Sequence, residues 1–111
     1  MPPTARPATT LVGLRIQERR LALQISQMQL GVLAGVDESS ASVRINQYER
    51  GKHLPDLQMA KRLAEALQVP MAYLYCEEDD IAEMMRLMHG LSKTARKRVV
   101  AELRATAESP R

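Results

Sequence analysis

The sequence predicts an all-α protein, on the evidence of its composition and its periodicity. The 111-residue chain has five Gly and six Pro, too few turn-forming residues for a β-sandwich or barrel. Aromatic residues make up 3% and all are Tyr, so Leu, Ile, Val, Ala and seven Met must fill the core. Apolar residues recur at helical spacings from residue 11 onwards. The length favours one domain with a short appendage.

The first part of the chain is divided by capping residues. Residues 1–10 are rich in Pro and Thr and lack periodicity, which predicts a disordered arm. A helical pattern then begins, with three arginines between its apolar positions. Ser26 is a good N-cap for a second helix over 27–34, and Gly35 ends that helix. The apolar positions of the first helix are Leu11, Leu14, Ile16 and Leu21, and the arginines are Arg15, Arg19 and Arg20.

Further helices follow at similar spacing. Asp37 is predicted to cap a third helix that runs to about Tyr48, and Asp56 opens a fourth. A final turn begins at Pro70. Residues 11–75 therefore form a predicted five-helix domain, and 76–111 form an extension of two amphipathic helices, the second capped by Ser92.

The segment from Ser26 to Gly51 has the pattern of a helix-turn-helix, with two short helices meeting at Gly35-Val36. A helix that reads the major groove needs an apolar inner stripe and hydrogen-bonding side chains outside. The third predicted helix has both. Its inner stripe is Ala41, Ile45 and Tyr48, and its outer residues are Ser39, Ser40, Ser42, Arg44, Asn46 and Gln47.

The stretches ISQMQLGVLAGV and VRINQYERGKHLPDLQMAKRLAEALQVPMAYL resemble the lambda-repressor/Cro-like family, often called Xre. The resemblance covers about residues 11–75. It implies a five-helix lambda-repressor-like domain that binds double-stranded DNA and regulates transcription. It also implies the docking geometry of that family, in which the second helix crosses the phosphate backbone and the third enters the major groove.

The resemblance also implies roles for individual residues. It aligns Ser42, Val43 and Gln47 with positions that read bases, and Arg44 joins them because arginine can read guanine. Phosphate contacts fall to Gln27, Arg50 and Lys52, with Asn46 placed beside them. Arg20 and Glu49 match a pair that forms a buried salt bridge in the family.

The chain departs from the family pattern at two points. The extra residues 37–40, DESS, must lengthen either the reading helix or the turn before it, and they make Ser39 and Ser40 additional candidates for base contacts. Gly31 stands in mid-helix where alanine is usual, at a cost of about 1 kcal/mol, which predicts close helix packing.

The extension contains more apolar side chains than the five-helix domain needs for its own core. We therefore expect it to hold a homodimer, which would read two half-sites of a palindromic operator as a repressor. The alternative is an antitoxin-like module whose C-terminal helices bind another protein. The residues expected in the interface are Ile81, Met84, Met85, Met88, Val99, Val100 and Leu103.

The sequence disfavours several other classes of protein, namely enzymes, metal- or cofactor-binding proteins and membrane proteins. No nucleophile has a plausible His or Asp partner, no glycine-rich phosphate loop exists, and His53 and His89 lack metal-ligand spacing, so no enzyme, cofactor or metal site is expected. The net charge of +3 lies entirely in residues 1–75 and is a mild indication of a polyanionic partner. No apolar run is long enough to cross a membrane. The single cysteine, Cys76, fits a reducing cytoplasm.

Overall fold

The computed structural model describes residues 10–110, and all the regular secondary structure in this range is helical, as predicted. The expected arm over 1–10 lies almost wholly outside the described residues. The elements are α1 (Leu11–Ala22), α2 (Gln27–Leu33), α3 (Glu38–Glu49), α4 (Leu57–Leu67), a short 3-10 helix (Met71–Tyr75), α5 (Asp79–His89) and α6 (Lys93–Ala107).

The predicted capping residues begin the helices. Ser26 and Gln29 form a reciprocal capping box at α2, in which each side chain binds the other residue's backbone nitrogen. Asp56 accepts from Met59 N at α4, and Ser92 accepts from Ala95 N at α6. These bonds satisfy amides that have no partner within their own helix.

The core lies between α1, α2, α3, α4 and the 3-10 helix, each of which contributes buried side chains. Leu30, Ile45, Leu63 and Leu67 are completely buried in it. The 3-10 helix adds the buried side chains of Tyr73 and Leu74 to this core. The short α2 contributes Leu30 and leaves Val32 and Leu33 exposed.

The arginines of α1 are buried, which the helical pattern did not indicate. Arg19 donates to Leu67 O at the end of α4. Arg15 donates to Cys76 O through Nε at 2.9 Å and Nη2 at 2.7 Å, and its Nη1 lies 3.0 Å from Asp79 Oδ1 at the start of α5. These guanidinium groups supply hydrogen bonds to carbonyls that the preceding helices leave unpaired.

The burial of the α1 arginines changes how the positive net charge of the first part of the chain is interpreted. Within 10–75 the structure exposes five Lys/Arg and five Asp/Glu, so the accessible charges of this part balance. The positive excess within that range comes from the arginines of α1, which hold the fold together. Net charge alone is therefore a poor guide to a DNA-binding face in this chain. The exposed basic residues are Arg44, Arg50, Lys52, Lys61 and Arg62.

The Tyr73 hydroxyl is buried and donates to Glu18 Oε2 at 2.7 Å. Burial, followed by the bond to the Glu18 carboxylate, raises the pKa of Tyr73 above its ordinary value of about 10. The folded protein therefore holds this proton more tightly than the unfolded chain does. The resulting stabilisation is complete below pH ~10 and is lost as the pH rises beyond it.

We expect this group to lower the free energy of unfolding above pH ~10, by at most about 1.4 kcal/mol per pH unit. Urea titrations of the wild type and of Tyr73→Phe across this range measure the effect, since the variant lacks the ionisable group. Tyr75→Phe, at an exposed tyrosine, is the matched control. Identical pH profiles for the wild type and Tyr73→Phe would contradict the prediction.

The two C-terminal helices are packed very differently. Ala82 of α5 is buried, and Met85 is partly buried against the core of the domain. Helix α6 has no buried residue, and its apolar side chains remain accessible, with Leu103 49% exposed. Arg96 joins the two helices by donating to Met88 O and His89 O, each at 2.8 Å.

The described chain is elongated, with extents of 55 × 30 × 26 Å.

Candidate nucleic-acid interface

The extra residues 37–40 lengthen the reading helix. Asp37 is the N-cap of α3, and Glu38, Ser39 and Ser40 form its first turn. Gly35, with φ +90°, makes the turn from α2. The two helices therefore meet through a short turn, as the helix-turn-helix pattern predicted.

Close packing explains the glycine in the middle of α2. A Cβ atom placed on Gly31 would lie 2.6 Å from Ala41 Cβ and 3.0 Å from Ala41 O. Any side chain at position 31 would push α2 away from α3. The small residues at 31 and 41 thus fix the separation of the two helices that face DNA in this family.

Helix α3 has one face in the core and one in solvent. Ala41, Ile45 and Tyr48 are buried, as predicted. All the candidate base-reading residues lie outside the core: Ser39, Ser40, Ser42, Val43 and Arg44 are exposed, and Gln47 is half-buried.

The outer residues divide into two flanks. Each residue of an α-helix turns by about 100°, which puts Ser39, Ser42 and Asn46 within about 60° of one another. This flank lies next to α2, since Asn46 contacts Gln27. Arg44 lies about 160° from Asn46 around the helix, on the other flank. The structure therefore separates Arg44 from the strip nearest α2.

The serines of the first turn are part of the helix cap. Ser39 donates to the Asp37 carboxylate through both its backbone nitrogen and its hydroxyl, and these bonds lower the pKa of Asp37. The Ser40 hydroxyl donates to Asp37 O at 3.4 Å. The hydroxyl hydrogens of both serines thus bind the cap.

A buried ion pair ties α1 to the end of α3. Arg20 Nε lies 2.6 Å from Glu49 Oε2, and Arg20 Nη2 donates to Glu49 Oε1 at 3.0 Å. The side chains of Arg20 and Glu49 are 2% and 1% exposed. Arg20 Nη1 also donates to Ile25 O at 3.1 Å, just before α2. The pair therefore fixes all three helices relative to one another.

Two glutamines complete the shell of Glu49. Gln17 Nε2 lies 3.3 Å from Glu49 Oε1, and Gln27 Nε2 lies 3.2 Å from the same oxygen. Sequence reasoning missed Gln17. Its spacing of three residues from Arg20, which puts both on one face of α1, is the signal that could have found it.

Gln27 holds Asn46 in one orientation. A carboxylate only accepts hydrogen bonds, so Gln27 must turn its NH2 group towards Glu49. The same NH2 group donates to Asn46 Oδ1 at 3.3 Å. Both amide hydrogens of Gln27 are then engaged inside the protein, and the phosphate contact expected of Gln27 stays a prediction. Asn46 is left with its amide nitrogen as the group that can bind a partner.

The basic residues after α3 lie at the surface. Arg50 is the C-cap of the helix and Lys52 follows two residues later, both exposed. Gly51, with φ +73°, bends the chain between them. The Lys52 backbone nitrogen donates to Gln47 O at 2.9 Å, which keeps this loop against the end of α3.

Residues 10–110 contain no group of three or more His, Cys, Asp or Glu that could hold a metal ion. No helix of the described chain is long and apolar enough to span a bilayer.

Known proteins with the same pattern identify the family. Residues 16–74 match the family described as Helix-turn-helix, which is more than half of the chain. The crystal structure of the transcriptional regulator BswR is similar to this fold, with a TM-score of 0.78 and 42% sequence identity. The match covers 87% of this chain and 98% of that chain. No curated protein matches the sequence. The family match and this structural similarity together show that the chain belongs to the Xre, or lambda-repressor-like, helix-turn-helix family of non-enzymatic, DNA-binding transcription regulators.

Proposed function

We propose that this regulator is a cytoplasmic repressor that binds a palindromic operator as a homodimer, with α3 in the major groove. The observation that supports this most is the outer face of α3, which is polar, exposed and held from behind by the buried Arg20–Glu49 pair. A helix whose position is fixed before binding needs little rearrangement of its backbone when it enters a groove.

The proposed contacts follow the position of each side chain. Ser42, Val43 and Gln47 meet base edges, since they lie on the solvent side of α3 beyond its capped first turn. Ser39 and Ser40, in the first turn of α3, and Arg44, on the flank away from α2, border this base-reading surface. We assign them additional contacts at the edges of the groove.

The phosphate contacts are assigned to the end of α3 and the loop after it. Asn46 donates its amide hydrogens to the backbone of DNA, and Arg50 and Lys52 contact neighbouring phosphates. Gln27 acts as a positioning residue, because its own amide hydrogens bind Glu49 and Asn46.

A dimer follows from the small size of one reading surface. One recognition helix contacts about half a turn of DNA, too little to select a site in a genome. Two copies related by a two-fold axis would read half-sites about 34 Å apart. The accessible apolar side chains of α5 and α6, including Met84 and Leu103, supply a surface for the second copy. Repression by blocking polymerase at the operator needs no further domain.

Selection of binding sites from a random DNA pool, at about 50 and 200 mM salt, tests this proposal. We expect a palindrome with half-sites one helical turn apart and a steep loss of affinity at the higher salt. An enriched site without two-fold symmetry would contradict the dimeric operator.

Substitutions at the reading surface should separate base contacts from phosphate contacts. We expect Gln47→Ala to cost about 1–3 kcal/mol on the selected site and to relax the preference at one base position. Lys52→Ala should weaken binding to all sequences alike and reduce the salt slope by about one. Titrations against selected and scrambled DNA measure both. Arg98→Ala, an exposed arginine on α6, is the control, and a Gln47→Ala protein with unchanged base preference would contradict the role of Gln47.

The second candidate function is an antitoxin-like module, favoured by the absence of any buried residue in α6. In this case the C-terminal helices would cover another protein, and DNA binding would be secondary. A monomer in sedimentation at micromolar concentration, together with no enriched DNA sequence, would support this function against the repressor.

A further inference from the structure

The two C-terminal helices carry opposite charges. Residues 77–89 contain five carboxylates and one arginine, a net charge of −4 with His89 neutral. Residues 93–107 contain five Lys/Arg and one glutamate, a net charge of +4. Helix α5 itself contributes −2 of the acidic charge and the two glutamates before it contribute the rest, so the segment 77–89 and the basic α6 carry opposite net charges of equal magnitude.

The chain does not use this complementarity internally. In residues 10–110, the ion pairs formed by α5 are those of Asp79 with Arg15 and of Glu83 with Arg86. Neither pair involves α6, and α6 touches α5 through the bonds of Arg96 to backbone carbonyls. Within residues 10–110, Glu77, Glu78, Asp80 and the basic side chains of α6 form no ion pair and remain available to another molecule, while Glu83 would exchange Arg86 of its own helix for a partner's basic group.

An apolar groove lies between the two helices. Met84, Leu87, Met88, Leu91 and Val99 line it, and Asp80 and Glu83 complete its wall. Leu87 is 53% exposed. A 15-residue helix with no buried side chain is only marginally stable in water, so α6 needs a partner to bury its apolar stripe.

We propose that the occupant of this groove is α6 of a second copy, placed so that each acidic α5 faces the basic α6 of its partner. A two-fold axis makes the contact reciprocal, so the opposite charges pair twice. This arrangement rests on the homodimer proposed above and names how the two copies join.

The helical phase identifies the charges that face the partner. On α5, Glu83 lies about 40° from Leu87 and borders the exposed apolar strip. On α6, Lys93, Lys97 and Arg104 lie on the flank next to Val100. Arg98 lies about 100° from Val99 on the other side of the apolar stripe and serves as the matched control, since it adjoins Lys97 in sequence.

The experiment compares the full-length wild type with Glu83→Lys, Lys97→Glu and Arg98→Glu by analytical ultracentrifugation. We expect Glu83→Lys and Lys97→Glu each to raise the dimer dissociation constant about tenfold or more, because each reversal acts twice across the two-fold axis. An equimolar mixture of these two variants should recover the wild-type dissociation constant by forming heterodimers. Arg98→Glu should dimerise like the wild type, and circular dichroism checks that all variants keep their helix content.

The outcomes separate the two proposals. A wild-type chain that remains monomeric overturns the homodimer and this arrangement with it. A wild-type dimer that Glu83→Lys and Lys97→Glu leave intact overturns the α5–α6 pairing while the homodimer stands. Weak variant homodimers without recovery in the mixture overturn the reciprocal contact. Weakened homodimers with recovery support it.

Discussion

Glu49→Ala is expected to lower the free energy of unfolding by about 3–5 kcal/mol, because it leaves the buried charge of Arg20 without its partner. Gln17 and Gln27 lose an acceptor at the same time. Small domains have total stabilities of about 5–15 kcal/mol, so the variant should be largely unfolded well below the melting temperature of the wild type. Urea unfolding followed by circular dichroism measures the change.

Glu83→Ala provides the matched control for this prediction. Glu83 is also paired with an arginine, Arg86, but its side chain is 54% exposed. Ion pairs in contact with solvent contribute little, so we expect no measurable change in the stability of the single chain, measured at a concentration too low for the proposed dimer to form. Replacing both buried partners, as in Arg20→Met with Glu49→Leu, should cost less than Glu49→Ala alone. If Glu49→Ala and Glu83→Ala were equally stable, the buried pair would not hold the fold in the way described.

Gly13→Ala has the second large expected effect, a loss of about 1–3 kcal/mol in stability. A Cβ atom at position 13 would lie 2.6 Å from Glu49 O and 2.7 Å from Tyr48 O. Both atoms belong to the backbone of α3, so relief requires α1 to move. The gain of about 0.5–1 kcal/mol in helix propensity from glycine to alanine does not offset this clash.

Gly90→Ala is the control for the glycine prediction. Gly90 has an ordinary helical φ of −81°, and a Cβ atom at this position would lie 3.7 Å from its nearest neighbour, Leu87 O. We expect this variant to be neutral or up to about 1 kcal/mol more stable. Thermal melts of the two variants compare them directly, and a Gly13→Ala protein as stable as Gly90→Ala would disprove the close crossing of α1 and α3.

The helices of this fold could be predicted from the sequence because their signals are local. Ser26, Asp37 and Ser92 each precede an apolar repeat, and each begins a helix in the structure. The buried positions of Arg15 and Arg19 could not be predicted in this way. Their partners are carbonyl oxygens 61 and 48 residues away, and hydrophobic periodicity contains no information on such contacts.

The candidate site could be predicted in outline and not in detail. The resemblance to the family placed Arg20 beside Glu49, a contact over 29 residues that composition and spacing cannot reveal. The role of Gln27 depended on which atoms surround its amide group, and these become known only when α2 is packed against α3. The separation of Arg44 from Asn46 follows from the phase of α3, which its N-cap at Asp37 fixes.

The contacts of Arg15 have a consequence for the spacing of operators. Because this buried side chain binds Cys76 O through two nitrogens, the chain just before α5 is fixed against α1. In the proposed dimer, this contact limits how far the distance between the two reading helices can adjust to the DNA. One base pair inserted between half-sites moves them by about 3.4 Å and rotates them by about 36°. The dimer would thus bind weakly to an operator that has both correct half-sites at the wrong separation.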